Sequence, residues 1–376
     1  MADAKSTGDH DAELADELLL SLVPGVGPRT RQTLLQCFGN ATTALDAPPS
    51  ALRDAPGIGP KLTRAISAAR ETIDVQRVIA DAREHDVAIL VQGRPGYPTS
   101  LLDTPDPPGV LFVRGAIVPR DLLGVAIVGS RHATHYGLKI ARQLAAGLAR
   151  AGLTIVSGLA RGIDAAAHQG ALDAGGRTLG VLGSGVLTIY PPEHVALSEQ
   201  VIRSGALISE APLWAAPTTG SFPQRNRLIS GLTLGVIVVE AADRSGALIT
   251  ARHAMEQGRE VFAVPGRIDE RMSRGCHRLI RDGATLVETV DDVLAELGPL
   301  ARGTETATGE QIRHPAELSL NEIEQAVLAG IETQATSIDV IVSRCALPAA
   351  QVLATLSVLE VKRLIRRVSG SLVLRV

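Results

Sequence analysis

Five short clusters of glycine with serine, arginine or proline recur along the middle of the chain. They are Gly129-Ser130-Arg131, the stretch 158–162 with Gly158 and Arg161, Gly183-Ser184-Gly185, Arg244-Ser245-Gly246 and Pro265-Gly266. Each follows a short apolar run, and glycine at such a place lets a ligand come close to the backbone. A turn that ends a strand and opens a helix also offers free N–H groups to an anion. Arginine adds a planar fork of donors that matches phosphate oxygens. Together these residue types suit the non-covalent holding of a phosphate chain. A sixth cluster, Phe222-Pro223-Gln224-Arg225-Asn226-Arg227, sets two arginines round an asparagine, a combination able to hold phosphate or a base edge. Between Phe222 and Arg281 ten arginines face six acids, so this half of the region is basic although the whole chain carries a net −3. The expected contacts are Gly129, Ser130, Arg131, Gly158, Arg161, Gly183, Gly185, Phe222, Arg225, Asn226, Arg227, Arg244, Ser245 and Gly246. Arg131, Arg225 and Arg227 are expected to be the main grip.

Covalent, acid–base and metal chemistry have less support. His132, His135 and His168 fit no zinc-ligand spacing. Asp164 precedes a helical stretch, where a capping carboxylate is expected, and Ser184 lacks a nucleophile-elbow context with His and Asp partners. The cysteines, Cys37, Cys276 and Cys345, form no C-x-x-C pair, which fits a reducing compartment. No catalytic residue, metal or cofactor is expected. A nicotinamide dehydrogenase is excluded because the turn at 129–134 lacks G-x-G-x-x-G and the next strand ends Val156-Ser157-Gly158, without an acid for a ribose.

The elements that must position these clusters can be read from periodicity. Residues 125–128, 153–157, 178–182, 206–209, 234–241 and 260–264 read as strands, with helices over 136–151 and 246–257 between them. Continuous apolar strands separated by helices predict a doubly wound, parallel α/β sheet covered on both faces. Every cluster then lies at a strand's carboxyl end, where open α/β sheets bind ligands. Ahead of this region, two similar turns, Val23 to Pro28 and Ala55 to Pro60, each separate two helical stretches. Residues 298–318 lack periodicity and read as a linker. Beyond it, Ser319 to Glu322 has capping-box spacing, helices follow at 337–345 and 348–360, and two β-rich runs are split by Ser369-Gly370-Ser371. Three helices and a hairpin are the winged-helix order. The predicted boundaries are 1–70, 71–298, 299–318 and 319–376.

At 376 residues, 45% hydrophobic and 20% charged, the chain has the composition of an ordinary multi-domain globular protein. Its polar, acidic start reads as no signal peptide, and no apolar run reaches the roughly 18 residues of a membrane span. A cytoplasmic location is expected. Aromatic residues are only 2% of the chain, so a long array of base-stacking platforms is excluded.

Five motifs, AIVGSR at 126–131, VSGLARGID at 156–164, IYP at 189–191, FPQRNR at 222–227 and SGALIT at 245–250, make the chain resemble the DNA-processing protein A (DprA/Smf) family. The resemblance covers about residues 97–297. It implies an extended Rossmann-like fold that dimerises, binds single-stranded DNA and loads the RecA recombinase during natural transformation. It also implies that Gly129, Ser130 and Arg131 lie in the DNA pocket. Some relatives carry a DNA-contacting lysine just after their Tyr-Pro pair, where this chain has Pro192, and His194 stands where asparagine is common. The paired N-terminal turns look like helix-hairpin-helix (SAM-like) motifs, which contact duplex phosphates or serve protein contacts. The winged helix is at least as suited to a protein partner, since the helix from Pro348 has no basic residue before Lys362. The expected partners are thus single-stranded DNA, RecA and a second copy of the chain through apolar surface between Leu228 and Ile249. The competing reading is a nucleotide-processing enzyme of the phosphoribohydrolase type on a related fold.

Overall fold

Short runs of Val, Ile and Ala, buried on both faces, build the central sheet. In the computed structural model, which describes residues 3–298, 304–305, 311–312, 322–331, 336–345, 347–361, 364–369 and 372–375, this sheet has nine strands. They are β1 Val87–Val91, β2 Val110–Gly115, β3 Gly124–Gly129, β4 Thr154–Ser157, β5 Thr178–Val181, β6 Ala206–Ser209, β7 Gly235–Val239, β8 Glu260–Ala263 and β9 Thr285–Leu286. The order is β1-β2-β6-β5-β4-β3-β7-β8-β9. From β6 to β9 all neighbours are parallel, whereas β1 and β2 add antiparallel at the β6 edge. The six strands read from periodicity are parallel as expected, and the antiparallel edge pair makes the whole sheet mixed. Six strands lie where periodicity put them. The other three are an antiparallel edge pair and a two-residue strand, which lack the βαβ rhythm.

Successive residues of each strand face opposite layers. Ala126, Val128, Val236 and Val238 pack beneath Leu228 and Ile229 of helix Ser221–Gly231 and Ala247, Ala251 and Ala254 of helix Gly246–Glu256. Val125, Ile127, Ile237 and Val239 pack against Leu144 and Leu148 of helix His135–Arg150 and Ala167 and Ala171 of helix Ile163–Asp173. The apolar segment 228–249, expected to leave surface for a second copy, is largely core. Leu228, Ile229, Leu232 and Val236 to Val239 are buried, and Ile249 is the exposed large apolar side chain within it.

The two N-terminal turns have one design. Val26 N donates to Val23 O at 3.0 Å and Ile58 N to Ala55 O at 3.2 Å, with Gly25 and Gly57 at φ 94° and 77°. Pro28 and Pro60 then occupy the first turn of helices Pro28–Phe38 and Pro60–Ser67, where a missing N–H costs nothing. This helical region is tied to the sheet. Ala15 and Leu18 of helix Asp3–Leu22 share a cluster with Ile79, Val87, Val110, Phe112 and Leu207. Buried Arg31 donates to Gln92 at 2.6 Å and to Glu17 at 2.5 Å.

At the other end, helices Glu322–Ala329, Ile338–Cys345 and Ala349–Val361 precede the hairpin Ile365–Ser369 and Leu372–Arg375, with Thr336–Ser337 completing a three-stranded sheet. This is a winged helix. Of the predicted capping box, Ser319 to Asn321 lie outside the described residues. So does most of the predicted linker, apart from a short ladder between Thr304–Glu305 and Gln311–Ile312. Among the described residues no single helix is long and apolar enough to cross a membrane.

Candidate nucleic-acid interface

The chain leaves β3 towards β4 on one side, while β7 pairs with β3 on the other. Their carboxyl ends thus meet where the strand order reverses, the place where open α/β sheets form a crevice. A cleft of about 820 Å³ opens there. It is lined by Gly129, Ser130 and Arg131 after β3, Asp164 after β4, Tyr190 after β5, Phe222, Arg225 and Asn226 of helix Ser221–Gly231, and Arg244, Ser245 and Gly246 after β7.

Close backbone packing sets the floor. A Cβ on Gly129 would sit 1.9 Å from Val239 O, so only glycine lets β3 turn against β7 at this point. Ser130 N then donates to Glu240 O at 2.8 Å, and the Ser130 hydroxyl accepts from His132 N at 3.1 Å. Arg131 is carried outward, exposed, with its guanidinium 5.0 Å from the centre of the Phe222 ring. Phe222 in turn lies 5.7 Å from Tyr190, at 44°. In a protein with so few aromatic residues, a cation, a half-buried ring and an exposed ring form one wall of the cleft. Arg244 is also exposed, and among the described residues neither it nor Arg131 has a carboxylate within ion-pair distance.

Arg225 and Arg227, expected as two of the three main grips, are turned inward. Both are 6% exposed. Arg225 donates to Gly158 O at 2.8 Å and to Val181 O, buried carbonyls at the ends of β4 and β5. Gly158 makes room for it, because a Cβ there would lie 2.3 Å from its Nη1. Burial lowers the Arg225 guanidinium to about 10, with Arg131 adding to the fall and Asp164 opposing it. Burial likewise raises the Asp164 carboxyl, against the pull of Arg225, while the Gly158 and Ala160 amides donate to it at 3.2 and 3.4 Å. Arg227 donates to Asp106 O at 2.7 Å and to Glu210 Oε2 at 2.5 Å. Charge drew attention to these arginines, but residues 225–231 are the last two turns of their helix and are buried on every side. Both guanidiniums are internal struts, Arg225 beside the cleft and Arg227 away from it.

Asn226 is a third strut: its side-chain amide donates to Gly246 O at 3.2 Å and holds the turn after β7. Five predicted residues do not line the cleft: besides Gly158 and Arg227, these are Arg161, Gly183 and Gly185. Arg161 is exposed and paired with Glu193. Gly185 is packed against the Pro212 and Leu213 backbone, and Gly183 against the Phe222 ring. Arg271 and Met272 line the cleft without having been foreseen. The turn after β8 folds back so that Met272 O accepts from Ala241 N at 2.7 Å, a long-range return that periodicity does not show. His168 is fully buried beside Thr178, at 2.7 Å, and so is no ligand candidate. No cluster of metal-ligating side chains occurs among the described residues.

Comparison with known proteins gives a consistent result. The family model for DNA recombination-mediator protein A matches residues 88–298, and that for the DprA winged helix domain matches residues 311–371. Protein Smf of Synechocystis sp. is 35% identical over 96% of this chain and 98% of its own. DNA processing protein DprA of Streptococcus pneumoniae is 46% identical over 53% of this chain and 71% of its own. The X-ray structure of Streptococcus pneumoniae DprA superposes with a TM-score of 0.65 at 35% identity, covering 75% of this chain and 97% of that one. The DprA structure from Helicobacter pylori, described for its single-stranded DNA binding mode, gives 0.51 at 30% identity, over 56% and 95% of the two chains. With the fold, the strand-end glycines and both domain matches in agreement, the chain belongs to the DprA/Smf family of DNA recombination-mediator proteins.

Proposed function

We propose that this protein binds single-stranded DNA in the cleft above β3 and β7, and that it protects incoming DNA and loads RecA recombinase onto it during natural transformation. The observation that carries the reading is the wall formed by Arg131, Phe222 and Tyr190, in a cleft that Arg244 also lines. Unpaired cations suit phosphates, and ring faces suit bases that a single strand leaves unstacked. The named subject of the Helicobacter pylori structure supports the same ligand. On this reading the protein is a cytoplasmic binding protein without a catalytic step, acting as a homodimer. Apolar side chains available to such a dimer in this half of the domain include Ile249 and Ile268, which are 39% and 89% exposed. The end domains tune partners, duplex DNA or protein. The phosphoribohydrolase reading is disfavoured because Asp164, the buried carboxylate of the cleft, is held by two amides beside Arg225.

The test is anisotropy of a labelled oligonucleotide over a salt series. One charged hydrogen bond to phosphate contributes about 1.5–3 kcal/mol, so Arg131→Ala should weaken binding about tenfold or more. The log–log salt slope should flatten by about 0.7, the counterion release expected for one contact to a single strand. Arg83→Ala, on an exposed helix end, should change little. Wild-type affinity and slope in Arg131→Ala would refute the site.

A further inference from the structure

Glu240 is an acidic side chain buried against the Arg131 turn, and a carboxylate is the wrong charge for a DNA cleft. It lies just past β7, is 5% exposed, and has φ 58°, a left-handed conformation that costs a residue with a Cβ. It holds both ends of the turn. At one end its carbonyl accepts from Ser130 N at 2.8 Å. At the other its carboxylate accepts from Thr134 N at 2.8 Å and from the Thr134 hydroxyl. Thr134 caps helix His135–Arg150, accepting from Gly137 N at 3.2 Å. Gly137 cannot carry a Cβ, which would fall 2.4 Å from the Glu240 carboxylate. Residues 130–134 are thus closed into a loop by a single residue of the neighbouring strand, and Arg131 stands at its crest.

We infer that Glu240 is a positioning residue for DNA binding, which fixes the 130–134 turn so that Arg131 rests over Phe222 and meets phosphate in a preset geometry. A preset contact loses less entropy on binding than a mobile one. This inference rests on the single-stranded DNA reading above. A double-mutant cycle separates it from general stabilisation. Glu240→Ala and Glu240→Gly should each weaken oligonucleotide binding about tenfold, the glycine variant doing so with its backbone conformation relaxed. Glu240→Gln, which keeps an acceptor for Thr134 N, should stay within about threefold. In an Arg131→Ala background, Glu240→Ala should cost almost nothing more. A loss that persists in full in that background overturns the inference, as does wild-type affinity in both Glu240→Ala and Glu240→Gly. If Glu240→Ala does not fold, Thr134→Val, which removes the partner hydroxyl, enters the same cycle with the same criteria. Wild-type binding by Arg131→Ala alone would overturn the DNA site as well, so the two failures are distinguishable.

Discussion

Arg225→Ala separates a strut from a grip. The side chain donates to two buried carbonyls, Gly158 O and Val181 O, and is the nearest countercharge to buried Asp164. Each charged hydrogen bond contributes about 1.5–3 kcal/mol, and removing one member of a buried charged pair typically costs about 3–5 kcal/mol in all. These figures describe the same loss and are not added. For a domain of this size about 1 kcal/mol moves the melting temperature by about 2–4 °C, so a fall of roughly 6–20 °C is expected. Thermal melts followed by circular dichroism measure it. Anisotropy well below the transition then asks whether the remaining folded protein binds oligonucleotide. The contrast with Arg131→Ala is diagnostic, since that exposed side chain should lose affinity with little change in melting. If Arg225→Ala melts like wild type yet loses DNA, the inward assignment is wrong and the guanidinium is a direct contact.

Phe222→Leu should weaken binding by about 1–3 kcal/mol if the ring stacks a base, and an abasic oligonucleotide should show little difference between variant and wild type; equal losses on both would argue against stacking. Burial lowers His168 to about 3, from an ordinary 6.5. The unfolded chain therefore takes up a proton that the folded one refuses, and this contribution is present above pH 6.5 and lost as the pH falls towards 3. Urea titrations from pH 7 to 5 should show stability falling, and His168→Gln should fall less steeply; parallel curves would exclude His168 as the cause. Gly129→Ala should destabilise by about 1–3 kcal/mol as the backbone is forced from Val239 O, and an unchanged denaturant midpoint would contradict that close approach.

The parallel heart of the fold was legible because β3 to β8 are short apolar runs separated by helical stretches, and the carboxyl ends of such strands are where a crevice is expected. Arg131, Arg244 and the Gly129 turn lie at that edge and line the cleft. Side-chain direction was not legible. Arg225 and Arg227 share a helix with Asn226, and only the packing of that helix against β5 and the turn after β7 shows which way each points. Nor could the sequence show that Glu240 reaches across to Thr134, a pairing 106 positions apart made by strand order. β1 and β2 escaped because an antiparallel edge pair interrupts the alternation of strand and helix that identified the others.

Helix Asp3–Leu22 is made well before part of its seat. Ala15 and Leu18 pack with Val87 and Phe112, and also with Val201, Leu207 and Leu213. At about 5–20 residues per second, synthesis of the roughly 190 residues between Leu18 and Leu207 takes on the order of 10–40 s. For that interval an apolar helix face is made but cannot be fully covered, a long exposure compared with the microseconds of helix formation. The Ala15 and Leu18 side of this helix therefore stays partly uncovered until β6 has been made. Its full docking can follow only once β6 is in place, while β7 to β9 are still to be made.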